Sequence, residues 1–168
     1  MAFNIREIFA ALDAVDARYI VVGGFAVIMH GYFRGTADLD LVLALDAPNC
    51  ERALRALTDI GMRPKLPVDM AQFANPVIRA DWFENRNMLV FQLWDPQNDR
   101  RSVDVFVKEP MPFDDMWADA VVKDYDGLKL RIASIPHLIA MKKIAGRPRD
   151  LNDITELTKI ANKTSQVL

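Results

Sequence analysis

Asp38 and Asp40 stand two apart in the run DLDLVLAL. Side chains two apart on a strand share one face, with α carbons roughly 6.6 Å apart at the strand rise. Carboxylates reaching toward each other over that gap can hold one or two small hard cations, which prefer oxygen ligands and leave positions open for phosphate. Leu39 and Leu41 then face a core. Asp104 lies in SVDVFV, where Val103, Val105 and Val107 alternate away from it and claim a buried face. If this strand lies beside the DLDL strand, three carboxylates converge. Like charges so close raise one another's pKa unless a cation neutralises them. Metal-assisted phosphoryl or nucleotidyl transfer is the chemistry such a set would serve; the competing reading is three ordinary strand-end aspartates.

The elements that must position these residues begin at YIVV, Tyr19 to Val22, a short buried strand followed by Gly23 and Gly24 and then by AVIMHG, which has helical potential over roughly 25–31. Two residues without side chains at a strand-to-helix turn let backbone amides approach a phosphate, with the helix N-terminus adding its dipole. Arg34 and Thr36 precede the aspartate pair, placed to grip phosphate oxygens or to hold the turn; a guanidinium offers phosphate a rigid fork.

The order GG, then HGYFRGTADLDL, then VDVFV resembles the nucleotidyltransferase superfamily that includes DNA polymerase beta, in its small bacterial versions. There a Gly-Gly or Gly-Ser turn precedes an Asp-x-Asp strand and a third Asp comes from a later strand, which matches Gly23 and Gly24, Asp38 and Asp40, and Asp104. The later stretch LIAMKKIAGRPRDLNDITEL is similar to the C-terminal helices of nucleotidyltransferase-like proteins related to abortive-infection and toxin-antitoxin systems, through Lys142, Ala145, Gly146, Arg147, Arg149 and Asp150. Residues 46–100 carry little of the likeness. The resemblance implies an α/β (α+β) fold with a mixed central sheet, flanking helices and a C-terminal helical pair. It also implies magnesium, or manganese in its place, held by Asp38, Asp40 and Asp104. A nucleoside triphosphate would be the substrate, bound with help from Gly23, Gly24, Arg34, Thr36 and Lys142, and pyrophosphate the leaving product. Asp104 would help to bind or deprotonate the acceptor. The acceptor stays open: a tRNA end, another RNA, a partner protein or a small molecule. A nucleotide- or RNA-binding module with little turnover and a toxin-antitoxin component remain competing functions.

At 168 residues with 51% hydrophobic composition, the chain suits one compact domain with a substantial core. The expected organisation is a single nucleotidyltransferase-like domain, 1–168, with residues 134–164 a helical appendage within it. A net charge of -2 gives no global pull toward nucleic acid. Cys50 is the only cysteine, which excludes an intrachain disulfide and a cysteine-rich metal site. The N-terminal stretch reads as an amphipathic helix over 3–16 rather than a secretion signal, and no apolar run is long enough to span a membrane. The expected location is cytoplasmic.

Further elements follow from local signals. Pro48 and Asn49 introduce a helix whose Ala53, Leu54, Leu57 and Ile60 repeat at helical spacing and which Gly61 can end. The segment with three prolines before Asn87 reads as a mixture of loop and short elements. NMLVFQLWD reads as a strand and Asp95 to Arg100 as a hydrophilic turn leading into the Asp104 strand, a hairpin. Trp82, Phe91 and Trp94 are candidates for stacking on a base, against the commoner role of packing. FDDMWADAVV reads as a short turn or helix, Ser134 and Pro136 as a helix start, and Asp150 or Asn152 as the start of the last helix, running toward Asn162. Lys142 can face a triphosphate, whereas Arg147 and Arg149 more readily pair with Asp150 or Asp153. His30 and His137 read as structural, without a metal-ligand partner nearby.

Overall fold

The computed structural model describes residues 4–167, so Phe3, where the first expected helix begins, lies outside the described residues. Among the described residues the order is α1 (Ile5–Ala14), β1 (Tyr19–Val22), α2 (Gly23–Met29), β2 (Leu39–Leu43), α3 (Ala47–Asp59), β3 (Arg63–Pro64), a 3-10 turn (Met70–Ala74), α4 (Pro76–Arg86), β4 (Val90–Asp95), β5 (Asn98–Phe106), α5 (Phe113–Asp119), β6 (Val121–Tyr125), β7 (Leu128–Ile132), α6 (Ile135–Ala145) and α7 (Pro148–Ser165). All seven strands join one mixed sheet in the order β3-β4-β5-β2-β1-β7-β6. The pairs β2/β5 and β1/β7 are parallel; the other four are antiparallel.

Caps set the helix ends. The side chain of Asn4 accepts from the amide of Glu7, that of Asp46 from Asn49 and that of Ser134 from His137, each satisfying an amide that the first helical turn leaves without a partner. Gly146 closes α6 in the left-handed region at φ 63°, where a side chain would be strained.

The sheet separates packing from chemistry by simple alternation. Leu39, Leu41, Val103, Val105, Phe91 and Leu93 are buried, and Trp82 of α4 stacks on Phe91 with ring centroids 5.2 Å apart. Residue 92 therefore points to the opposite face from α4, and register carries that face across to Asp104 and Asp40. A second aromatic cluster, Phe9, Tyr19, Phe25 and Tyr125, ties α1 and α2 to the far edge of the sheet.

Several expectations need correction. The helix after the glycines begins at Gly23 itself, and β2 starts at Leu39, leaving Asp38 on the bend before it. The expected turn at Asp95 to Arg100 is mostly strand, with the reversal confined to Pro96 and Gln97. The proline-rich middle contains an eleven-residue helix, α4, started by Asn75 and Pro76. Val121 and Val122 belong to a strand, not to α5, and KDYDGLKLRI forms the β6–β7 hairpin around Asp126 and Gly127. The final helix starts earlier, at Pro148, and runs to Ser165. No described helix is long and apolar enough to cross a membrane.

Candidate active site

Cross-strand register assembles the carboxylates. Asp40 of β2 lies opposite Asp104 of β5 in the parallel ladder, and opposed residues present their side chains to one face. Asp38, on the bend just before β2, lies close enough for its charge to act on both carboxyls. Burial, then the charges of Asp104 and Asp38, push the Asp40 carboxyl up to about 7, with Lys142 and Arg147 pulling it down. Asp104 rises to about 6 through burial and then Asp38, against the side chain of Gln92 and the ammonium of Lys65. Its Oδ1 is buried without a hydrogen-bond partner among the described residues.

Both glycines are floor to this site. Gly23 has φ 66°, and a methyl group there would sit 2.6 Å from Cγ of Asp40. A methyl on Gly24 would lie 2.6 Å from Thr36 Oγ1 and 3.1 Å from a terminal nitrogen of Arg34. Thr36 in turn donates to the carbonyl of Asp38 at 3.2 Å. The glycine pair thus permits the close approach of the side chains that precede and begin β2, a requirement that holds whether or not phosphate binds there.

Arg34 and Lys142 meet on Asp153. Nε and the terminal nitrogen Nη2 of Arg34 each donate at 2.7 Å to one carboxylate oxygen of Asp153, and Lys142 Nζ stands 2.6 Å from Asp153 Oδ2 and 3.5 Å from Asp150 Oδ1. Arg147 closes the set, its Nε 2.8 Å from Asp150 Oδ2. Burial would raise Asp153, but the hydrogen bonds from Arg34 and Lys142 outweigh it and hold the carboxyl below its ordinary range. The same balance, with Arg147 as main partner, holds Asp150 down. Three cations against two anions leave this cluster one positive charge in excess beside the carboxylates. Arg149 is exposed and joins no ion pair among the described residues.

The histidines are held structurally. His30 Nε2 lies 2.8 Å from the carbonyl of Ala133, and burial lowers its pKa. His137 Nε2 stands 3.9 Å from Asp119, and its Nδ1 is buried without a hydrogen-bond partner among the described residues.

Gly23, Gly24, Arg34, Thr36, Asp38, Asp40, Asp104 and Lys142 lie near one another, whereas Arg149 stands outside the ion-pair cluster and Trp82 and Phe91 are packed in the core. Sequence reading missed Asp153 as the shared anchor of Arg34 and Lys142, and missed Lys65 and Gln92 beside Asp104. A buried-face pattern in α7, Asp150, Asp153 and Leu157, was the available signal for the first; the second depends on strand register alone.

The donors fit a divalent cation. They are hard oxygens; Asp104 Oδ1 lacks a partner among the described residues, and burial, then mutual repulsion, pushes Asp40 and Asp104 toward protonation, the state a cation would relieve. Among the described residues no three His, Cys, Asp or Glu side chains close around one point. The expected set of three metal ligands, Asp38, Asp40 and Asp104, is therefore not gathered around one point among the described residues.

A family model described as a nucleotidyltransferase of unknown function matches residues 2–166. No curated protein matches the sequence. Among solved structures, the lincosamide antibiotic adenylyltransferase LnuA with lincomycin bound superposes with a TM-score of 0.60 at 17% identity, covering 94% of this chain and 98% of that one. ANT(2")-Ia, in complex with adenylyl-2"-tobramycin, gives a TM-score of 0.63 at 15% identity, covering 97% and 91%. At such identity these neighbours speak to the fold.

Proposed function

The chain belongs to this nucleotidyltransferase family, and from that premise we propose that it transfers a nucleoside monophosphate from a nucleoside triphosphate to an acceptor hydroxyl, with a divalent metal, magnesium or manganese, bound by Asp38 and Asp40. The observation that carries the reading is the opposition of Asp40 and Asp104 across β2 and β5, over a glycine floor that only the absence of side chains permits. A bound cation would polarise the phosphate oxygens and offset charge building on them.

The protein's own residues supply the rest. The acceptor oxygen forms a bond to the α-phosphorus while the bond from that phosphorus to the bridging oxygen breaks. Pyrophosphate leaves with that electron pair, and the hydroxyl proton passes to Asp104, whose buried Oδ1 has no other hydrogen-bond partner among the described residues. Gly23 and Gly24 let Asp40, Thr36 and Arg34 close in on the start of α2. Arg34 and Lys142 are committed to Asp153, and the one excess positive charge around Asp150 and Asp153 favours a polyanion beside them.

The two solved neighbours carry antibiotic names, so a small hydroxylated molecule is one acceptor class; a nucleic acid or a toxin-antitoxin partner protein are others. Incubation with triphosphates labelled at the α-phosphate and divalent metal tests the reaction. Label transferred to an acceptor, or pyrophosphate released, by wild type but not by Asp104→Ala is the expected result. Binding of triphosphate without release under any acceptor would favour a nucleotide-binding protein on the same scaffold.

A further inference from the structure

Trp82, Phe91 and Trp94 read alike in the sequence, but the structure separates them. Trp82 and Phe91 stack on each other inside the core. Trp94 lies on the other face of β4, opposite Ser102 and one register step from the Gln92–Asp104 pair. It stays half-buried and is absent from the described residues that pack against the core. Along β4, Phe91 and Leu93 are buried while Gln92 and Trp94 keep part of their surface, so this half of the carboxylate face is open. Gln92 Nε2 reaches Ser102 Oγ at 3.5 Å, which places those side chains together on it.

The same strip carries one exposed cation beside the carboxylates. Lys65, on the bend after β3, donates its amide to the Gln92 carbonyl at 2.9 Å, which extends the row Gln92, Asp104, Asp40 of β4, β5 and β2 by one residue. Its side chain is exposed, makes no ion pair among the described residues, and acts on the Asp104 carboxyl. Arg63 pairs with Trp94 in register, though its guanidinium is turned back to the carbonyls of Thr58 and Met62. Diagonal neighbours on antiparallel strands lie about 7–8 Å apart, so a ring seated on Trp94 would hold its substituents within reach of Asp104.

Resting on the transfer reading above, we propose that the strip formed by Trp94, Gln92 and Lys65 is the acceptor site and that it takes a nucleotide unit: a base stacked on Trp94, a phosphate near Lys65 and a hydroxyl directed at Asp104. A polycationic aminosugar lacks the anion that Lys65 would meet and would face its repulsion. A free nucleotide and the end of a single strand share the required chemistry.

The test is fluorescence and binding with three probes: adenosine monophosphate, a short single-stranded oligoribonucleotide and tobramycin. Quenching by the nucleotide probes, lost in Trp94→Phe, is expected. Trp94→Ala should weaken their binding about tenfold with an unchanged melting midpoint, since the residue lies outside the core. Lys65→Gln should lower the salt dependence of oligonucleotide binding by about 0.7 in slope. Tighter binding of the strand than of the monophosphate assigns a strand end; equal binding assigns a free nucleotide. Nucleotide binding indifferent to both substitutions, or tobramycin quenching where nucleotides do not, would each overturn the proposal. Asp40→Asn separates the two readings, because it should remove triphosphate binding while leaving the acceptor probes bound.

Discussion

Asp40 sits at the point where backbone geometry and charge constrain each other. Gly23 is required beneath it both because φ is 66° and because a methyl group would overlap the carboxylate. Gly23→Ala should therefore cost about 1–3 kcal/mol in stability and displace Asp40, with transfer falling further than stability alone accounts for; a thermal melt beside an activity assay checks both. Asp38→Asn and Asp40→Asn should each lower transfer at least a hundredfold while leaving the fold intact, read by turnover and circular dichroism. Unchanged turnover in both variants would remove these residues from the site. The aspartates were readable in sequence because alternation with Leu39, Leu41, Val103 and Val105 declares which side is core. Trp94 was not separable from Phe91 by the same means, since an aromatic residue satisfies either face of a strand and only pairing shows which one.

Between elements, Asp153 links α7 to the loop before β2 through Arg34 and to α6 through Lys142. Removing one partner of a buried pair leaves uncompensated charge, at a cost of about 3–5 kcal/mol. Asp153→Ala should lose that much in chemical denaturation and loosen the α6–α7 junction, whereas Arg149→Ala, on an exposed residue without an ion pair, should change stability by less than about 0.5 kcal/mol. Arg147 pairing with Asp150 was foreseeable from helix spacing. The hold of Asp153 on Lys142 was not, because it depends on how sharply the chain reverses at Gly146. The β6–β7 hairpin shows the same limit: the turn pair Asp126-Gly127 stood in the sequence, but VV directly after the helical segment FDDMWAD read as its continuation.

For the molecule as a whole, the unneutralised carboxylates oppose folding. With folded pKa values of about 7 for Asp40 and about 6 for Asp104, the native state binds more protons than the unfolded chain above the ordinary carboxyl pKa. Stability in chelator should therefore fall as pH rises from about 4 to about 7, by roughly 4 kcal/mol through Asp40 and up to about 3 kcal/mol through Asp104. Asp38, Lys142 and Arg147 face Asp40 throughout this window, and the cations limit the loss. Asp40→Asn should flatten the pH profile, and magnesium with triphosphate should restore wild type; midpoints of denaturation across this range measure it. The overall sheet was only partly legible, since the aspartate strands and their hairpin announce themselves while α4 hides among prolines.

Isothermal titration of magnesium and each nucleoside triphosphate into wild type and Asp40→Asn tests the central claim most directly. Magnesium-dependent binding of at least one triphosphate, lost in the variant while its melting profile stays cooperative, is the predicted result. Well-folded wild type that binds no triphosphate with magnesium or manganese, or a variant that binds as tightly as wild type, would contradict it.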